Sequence, residues 1–160
     1  MIDRSLKNAI DSHKVISFDM FDTLVLRNVP RPEDVFLLIQ NHFKGKHRYE
    51  NFACIRVDAY KKAYEQYKAS CTLDNIYECM PIFTKEERDI LKQLEISTEI
   101  EVCMPNYDFV NDVYNYAICK GKTVIITTDM YYDVTCEEKD LDLAFLVAFS
   151  IAKTEQTFYD

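Results

Sequence analysis

No surplus of positive charge marks this chain: 19 Lys and Arg stand against 27 Asp and Glu, a formal net charge of −8. A broad surface for nucleic acid or anionic lipid needs clustered cations, so neither is expected as a partner, and any phosphate must be held by a local site. Closely paired cysteines are missing too. The six cysteines, at 54, 71, 79, 103, 119 and 136, form no C-x-x-C pair and lie far from the three histidines in sequence. That pattern reads as reduced, mostly structural thiols. His13, His42 and His47 lack a neighbour at ligand spacing and read as surface or packing residues. Long apolar runs are absent as well. The start, MIDRSLKNAIDSHKV, has none behind its basic residues, and the longest apolar stretch, residues 143–149, is too short to span a bilayer. The chain is therefore expected to be soluble and cytoplasmic. No repeat or low-complexity segment occurs.

What is present can build a core. Apolar residues make up 48% of 160 positions, enough for one compact domain or a small core carrying an inserted cap, and too many for a disordered chain. Residues 2–13 can form a short helix with Leu6 and Ile10 on one face. The apolar run VISF (15–18) follows and ends on Asp19; a second, TVIIT (123–127), comes after the Lys120-Gly121-Lys122 turn and ends on Thr128 and Asp129. Both have strand composition. A third run, LAFLVAFS (143–150), is followed closely by Lys153.

Between the first two strands the pattern is helical. It opens at residues 30–34, where Pro32 suits a first turn and Glu33 and Asp34 complement the helix dipole. Over residues 48–70, Phe52, Ile55, Ala59, Tyr60, Ala63, Tyr64 and Tyr67 recur at spacings that mark an amphipathic helix, its tyrosines expected in the core. Thr72 with Asn75, and Thr84 with Glu87 as a capping box, predict two further starts. A last helix is expected over 105–119, with Phe109, Val110, Val113, Tyr114 and Ala117 inward.

Short apolar strands separated by helices imply an α/β fold with a parallel sheet of about three strands. Ligands in such sheets sit beyond the carboxyl ends of the strands. That places Asp19, Asp22, Thr128, Asp129 and Lys153 as the candidate site. A carboxylate at a strand end can attack phosphorus, and Mg²⁺ held by carboxylate, backbone carbonyl and waters would offset the charge. Asp19 and the carbonyl of Phe21 are the candidate metal ligands. The Thr128 hydroxyl could hold a phosphoryl oxygen, with Thr127 its rival if the strand slips by one residue, and Lys153 could neutralise developing charge.

VISFDMFDTLVLR (15–27) resembles motif I of the haloacid-dehalogenase-like (HAD) superfamily, Asp-x-Asp-x-Thr after a hydrophobic strand. KTVIITTDMYY (122–132) looks like motif II in its Asp-Met-Tyr variant, and AKTEQTFYD (152–160) is similar to the motif III region. RPEDVF, TLDNIY and EIEVCMPN resemble the helical cap of a HAD group often found beside surface-polysaccharide glycosyltransferases. The resemblance implies a partial Rossmann-like core, residues 1–29 with 117–160, and an inserted α-helical cap, residues 30–116. It implies Mg²⁺-dependent hydrolysis or transfer of a phosphoryl group on a small metabolite, with a sugar phosphate as the associated class. Asp19 would be nucleophile, Asp22 and Lys153 further catalytic residues, and Thr23, Thr128 and Asp129 substrate-binding residues. Asp22 and Thr23 have a second reading as loop-stabilising side chains, and Asp129 as the partner of a helix N-terminus.

Two departures keep alternatives open. Phe21 stands where phosphatases of the family carry their second Asp, and Asp22 falls one position later. The chain also ends at Asp160 before a fourth, acidic motif, so a truncated or longer parent protein is expected. An incomplete sheet edge would then be open to self-association or a glycosyltransferase partner. The rival functions are a non-catalytic module that binds a phosphorylated ligand or partner, and a metal-independent dehalogenase.

Overall fold

The computed structural model describes residues 2–127. In chain order its main elements are α1 (Arg4–Ser12), β1 (Val15–Asp19), β2 (Val25–Arg27), α2 (Asp34–His42), α3 (Phe52–Tyr67), α4 (Leu73–Glu78), α5 (Lys85–Val102), β3 (Cys103–Pro105), α6 (Tyr107–Phe109), a π-helical stretch (Val110–Tyr114), α7 (Asn115–Cys119) and β4 (Thr123–Thr127). The fold is α/β, and the described residues divide into two compact units, 2–27 with 103–127 and 28–102.

In the first unit β1 and β4 pair in parallel, Val15 opposite Thr123 through Asp19 opposite Thr127. Both strands lie where the apolar runs place them. α1 starts at Asp3, whose Oδ1 accepts from the amides of Ser5 (2.9 Å) and Leu6 (3.3 Å) and so satisfies two donors of the first turn. The Lys-Gly-Lys turn works through Gly121: at φ +66° it takes the left-handed conformation that ends α7, and its N–H donates to Ile118 O at 2.8 Å. Val110, Val113 and Ala117 are buried, and Phe18 packs edge-on against Phe109 at 5.8 Å between ring centroids. The helix of this segment begins later than its periodicity suggests, because Pro105 belongs to β3 and Asn106 caps Tyr107–Phe109 by accepting from the Phe109 amide at 3.3 Å.

The parallel sheet has two strands among the described residues rather than about three, since the run at 143–150 lies outside them. A second, antiparallel pair, β2 with β3, is not foreseen from composition. It carries residues 103–119 into the first unit, so the compact units divide at 102/103, whereas the resemblance implies a cap that ends at 116.

The second unit is helical. α2 packs on α3 and α5, and α4 on α3 and α5. Val35, Ile39, Phe52, Ile76, Phe83 and Leu91 are buried at their meeting. The inward face of α3 is Phe52, Ala53, Arg56, Ala59 and Ala63. Tyr60 and Tyr64 are exposed, at 38% and 47%, which corrects their expected core placement. The alanine face lets neighbouring helices approach closely and leaves the flanking phenols at the rim. Within the core, the Arg56 guanidinium donates from Nε and Nη2 to the two Glu95 oxygens, each at 2.7 Å, and the Tyr77 hydroxyl adds a third bond at 2.8 Å. Among the described residues, no helix is long and apolar enough to cross a membrane.

Candidate functional site

Alternation along β1 sets the site. Phe18 and Met20 point into the unit and are buried, while Asp19 between them is exposed at the strand's carboxyl end. The chain then turns sharply. Met20 O accepts from the amides of both Leu24 and Val25 at 3.0 Å, and Asp22 N–H donates to Val25 O at 2.7 Å. The turn is fastened to β4 by the Met20 amide, which donates to Thr127 O at 3.0 Å. On its far side Asn106 donates through Nδ2 to Thr23 O and through its amide to Leu24 O, both at 2.9 Å.

Such a turn requires an unusual backbone at Asp22, which adopts φ +58°. Aspartate tolerates this region better than most side chains do. Its carboxylate accepts from Arg27 Nη1 at 3.0 Å, and the Arg27 guanidinium lies over the Phe21 ring, 4.2 Å from its centroid. The Arg27 side chain is 4% exposed against 63% for Asp22. A buried planar cation thus holds two consecutive residues of the turn, one by charge and one by its aromatic face.

Asp19 and Thr23 line one cavity of about 380 Å³, together with Leu6, Ile10, Phe18 and Phe109. Asp19 and Phe21 offer two oxygens to a cation: no described residue hydrogen-bonds the Phe21 carbonyl, and none pairs with the Asp19 carboxylate. Mg²⁺ binds through one or two protein oxygens and keeps several waters, so these two atoms are the candidates to hold it. Among the described residues no group of three or more His, Cys, Asp or Glu could hold a metal. The Thr127 hydroxyl is engaged with β1, 3.3 Å from Phe18 O and 3.2 Å from Ser17 Oγ. Thr128, Asp129 and Lys153 lie outside the described residues.

Of the predicted site residues, Asp19, Phe21, Asp22 and Thr23 therefore share one turn, with Asp22 committed to Arg27. Arg27 and Asn106 were not foreseen as part of it. Arg27 closes the motif-like stretch VISFDMFDTLVLR and Asn106 follows EIEVCMP, but neither spacing reveals a contact made through the fold. No protein-family model matches the chain, and a search of curated proteins finds no match either, so the functional reading rests on these residues and their geometry.

Proposed function

We propose that this chain is a HAD-like phosphohydrolase or phosphotransferase, acting in the cytoplasm on a small phosphorylated metabolite, with sugar phosphates the class suggested by the resemblance. The observation that carries the reading is Asp19, exposed at the carboxyl end of a parallel strand and followed by a tight turn in a Phe-Asp-Met-Phe-Asp-Thr-Leu sequence. In this proposal Asp19 Oδ attacks phosphorus, the bond to the leaving oxygen breaks, and water later hydrolyses the aspartyl-phosphate. Asp19 and the Phe21 carbonyl would hold Mg²⁺, which supplies charge neutralisation for carboxylate and phosphate. Thr128, Asp129 and Lys153 keep their proposed roles at the phosphoryl group and substrate. Residues 28–102 would be the helical cap of a Rossmann-like core, and a glycosyltransferase is the class of protein partner.

The test is hydrolysis of p-nitrophenyl phosphate with Mg²⁺ or with EDTA, by this chain and by Asp19→Asn. Turnover that needs Mg²⁺ and falls by at least about a thousandfold in the variant is expected, the order of loss seen when a nucleophile is removed. A folded wild-type chain with no turnover above the variant sinks the enzyme reading. The second reading, a module that binds a phosphorylated ligand without turnover, is favoured by one feature: Asp22, the carboxylate nearest the acid/base position, is occupied by Arg27.

A further inference from the structure

Asp22 is exposed and sits in a backbone conformation that few residues adopt, while Phe21 beside it is buried. Both are held by one side chain, Arg27, from β2. Arg27 is fixed in turn by its strand: β2 pairs with β3 through Arg27 opposite Cys103. The turn's own hydrogen bonds converge on Met20 O and leave the Phe21 carbonyl without a described donor. The direction of that carbonyl depends on the torsions either side of it, which are the ones that Phe21 stacking and Asp22 pairing restrain.

We propose that Arg27 is a positioning residue of the site: by clamping Phe21 and Asp22 it aims the Phe21 carbonyl beside Asp19, and so sets affinity for the divalent cation. The proposal rests on the phosphohydrolase reading above. Arginine suits the task because its planar guanidinium stacks on the ring and donates to the carboxylate at once, which a lysine ammonium cannot reproduce. Outer partners of metal ligands act in this way, and losing one costs about 10- to 100-fold in metal affinity or activity.

Two readouts on the full chain test it, with Arg27→Ala, Arg27→Lys and Asp22→Asn compared with wild type. The first is amide hydrogen exchange at Leu24 and Val25, whose N–H groups both donate to Met20 O. The second is the Mg²⁺ concentration giving half-maximal p-nitrophenyl phosphate turnover, read separately from kcat at saturating Mg²⁺. Expected are exchange faster by about tenfold at those amides and a Mg²⁺ midpoint raised by about tenfold in Arg27→Ala. The rise should be smaller in Arg27→Lys and in Asp22→Asn, with kcat at saturation changed less than the midpoint. Should Arg27→Ala fail to fold, Asp22→Asn carries the test, because it leaves the buried stack in place. An active wild type with midpoints within twofold in every folded variant overturns the positioning role alone. Wild type without Asp19-dependent turnover overturns the enzyme reading and this role with it, so the two failures are told apart.

Discussion

Arg56 and Glu95 bring two opposite charges into the helical unit at 1% and 0% side-chain exposure. Stripping water from both costs several kcal/mol each, and their attraction offsets this only when every hydrogen-bonding position is used well. Here the pairing is two-pronged, the Tyr77 hydroxyl fills a third position on Glu95, and the guanidinium lies 4.6 Å from the centroid of the Phe36 ring. Removing one partner strands the other in an apolar core, so Glu95→Ala should lower unfolding free energy by about 3–5 kcal/mol. Replacing both, as Arg56→Met with Glu95→Leu, should restore most of the loss. Urea unfolding followed by circular dichroism checks this, and a double variant as unstable as the single one would refute the argument. The sequence held a signal for the pair that a surface reading of charges hides: Arg56 falls in register with Phe52, Ala59 and Ala63, and Glu95 lies four residues beyond Leu91. Asp19 was legible because it ends an apolar run. The positive φ of Asp22 was not, since it follows from a turn whose bonds reach β4 and Asn106.

At the N-terminus of α5 a capping box behaves as its sequence predicts, and a distant residue strengthens it. Thr84 Oγ1 accepts from the Glu87 amide at 3.2 Å, and Glu87 Oε2 accepts from the Thr84 amide at 2.8 Å. Arg48 donates to the same carboxylate from Nη2 at 2.7 Å, and its Nε lies 2.7 Å from Oε1 in the same ion pair. These bonds, Arg48 first and the Thr84 amide second, hold the Glu87 carboxyl below the ordinary glutamate value of 4.5. A carboxyl whose folded value is depressed adds stability that is fully present above its unfolded value and is lost as pH falls through the folded one. The wild-type advantage over Glu87→Gln should accordingly be constant at neutral pH and shrink below about 4.5. Thermal unfolding of the two proteins from pH 7 to 3 measures it; a gap that stays constant through acid would show that Glu87 acts without its charge. The cap hydroxyl is separable, and Thr84→Ala should cost about 1 kcal/mol at neutral pH. The helix starts at Thr72 and Thr84 could be read because capping is local, and the structure adds a capping box at Thr72 to the one read at Thr84. β2 and β3 could not: each has three residues, and what makes Val-Leu-Arg and Cys-Met-Pro strands is their pairing across more than seventy positions of chain.

That pairing also decides how the whole chain is divided. Helical periodicity runs without a break through residues 105–119, so the sequence offers no sign that the boundary lies at 102/103, while the alternation of strand, helices and strand that marks an α/β protein is plain in it. Residues 28–102 are continuous in sequence, and their ends meet: the Asn28 amide donates to Val102 O at 2.7 Å. They also carry a core of their own, with Val35, Phe52, Ile76, Met80 and Phe83 each at 1% exposure or less. A segment with closed ends and an internal core meets the physical conditions for folding alone, although a domain of this size buries a smaller share of its surface than a large one and is only marginally stable. The isolated segment 28–102 should therefore give a helical far-ultraviolet spectrum and a single sigmoidal urea transition, with a stability on the order of 5 kcal/mol. The Arg56–Glu95 pair lies wholly inside it, so Glu95→Ala should leave the isolated segment with only about 0–2 kcal/mol, its urea transition beginning at or near zero denaturant. A gradual, non-cooperative loss of helix in the wild-type segment would mean that its core depends on residues outside it, and the cap proposed for this chain would then be no separate body at all.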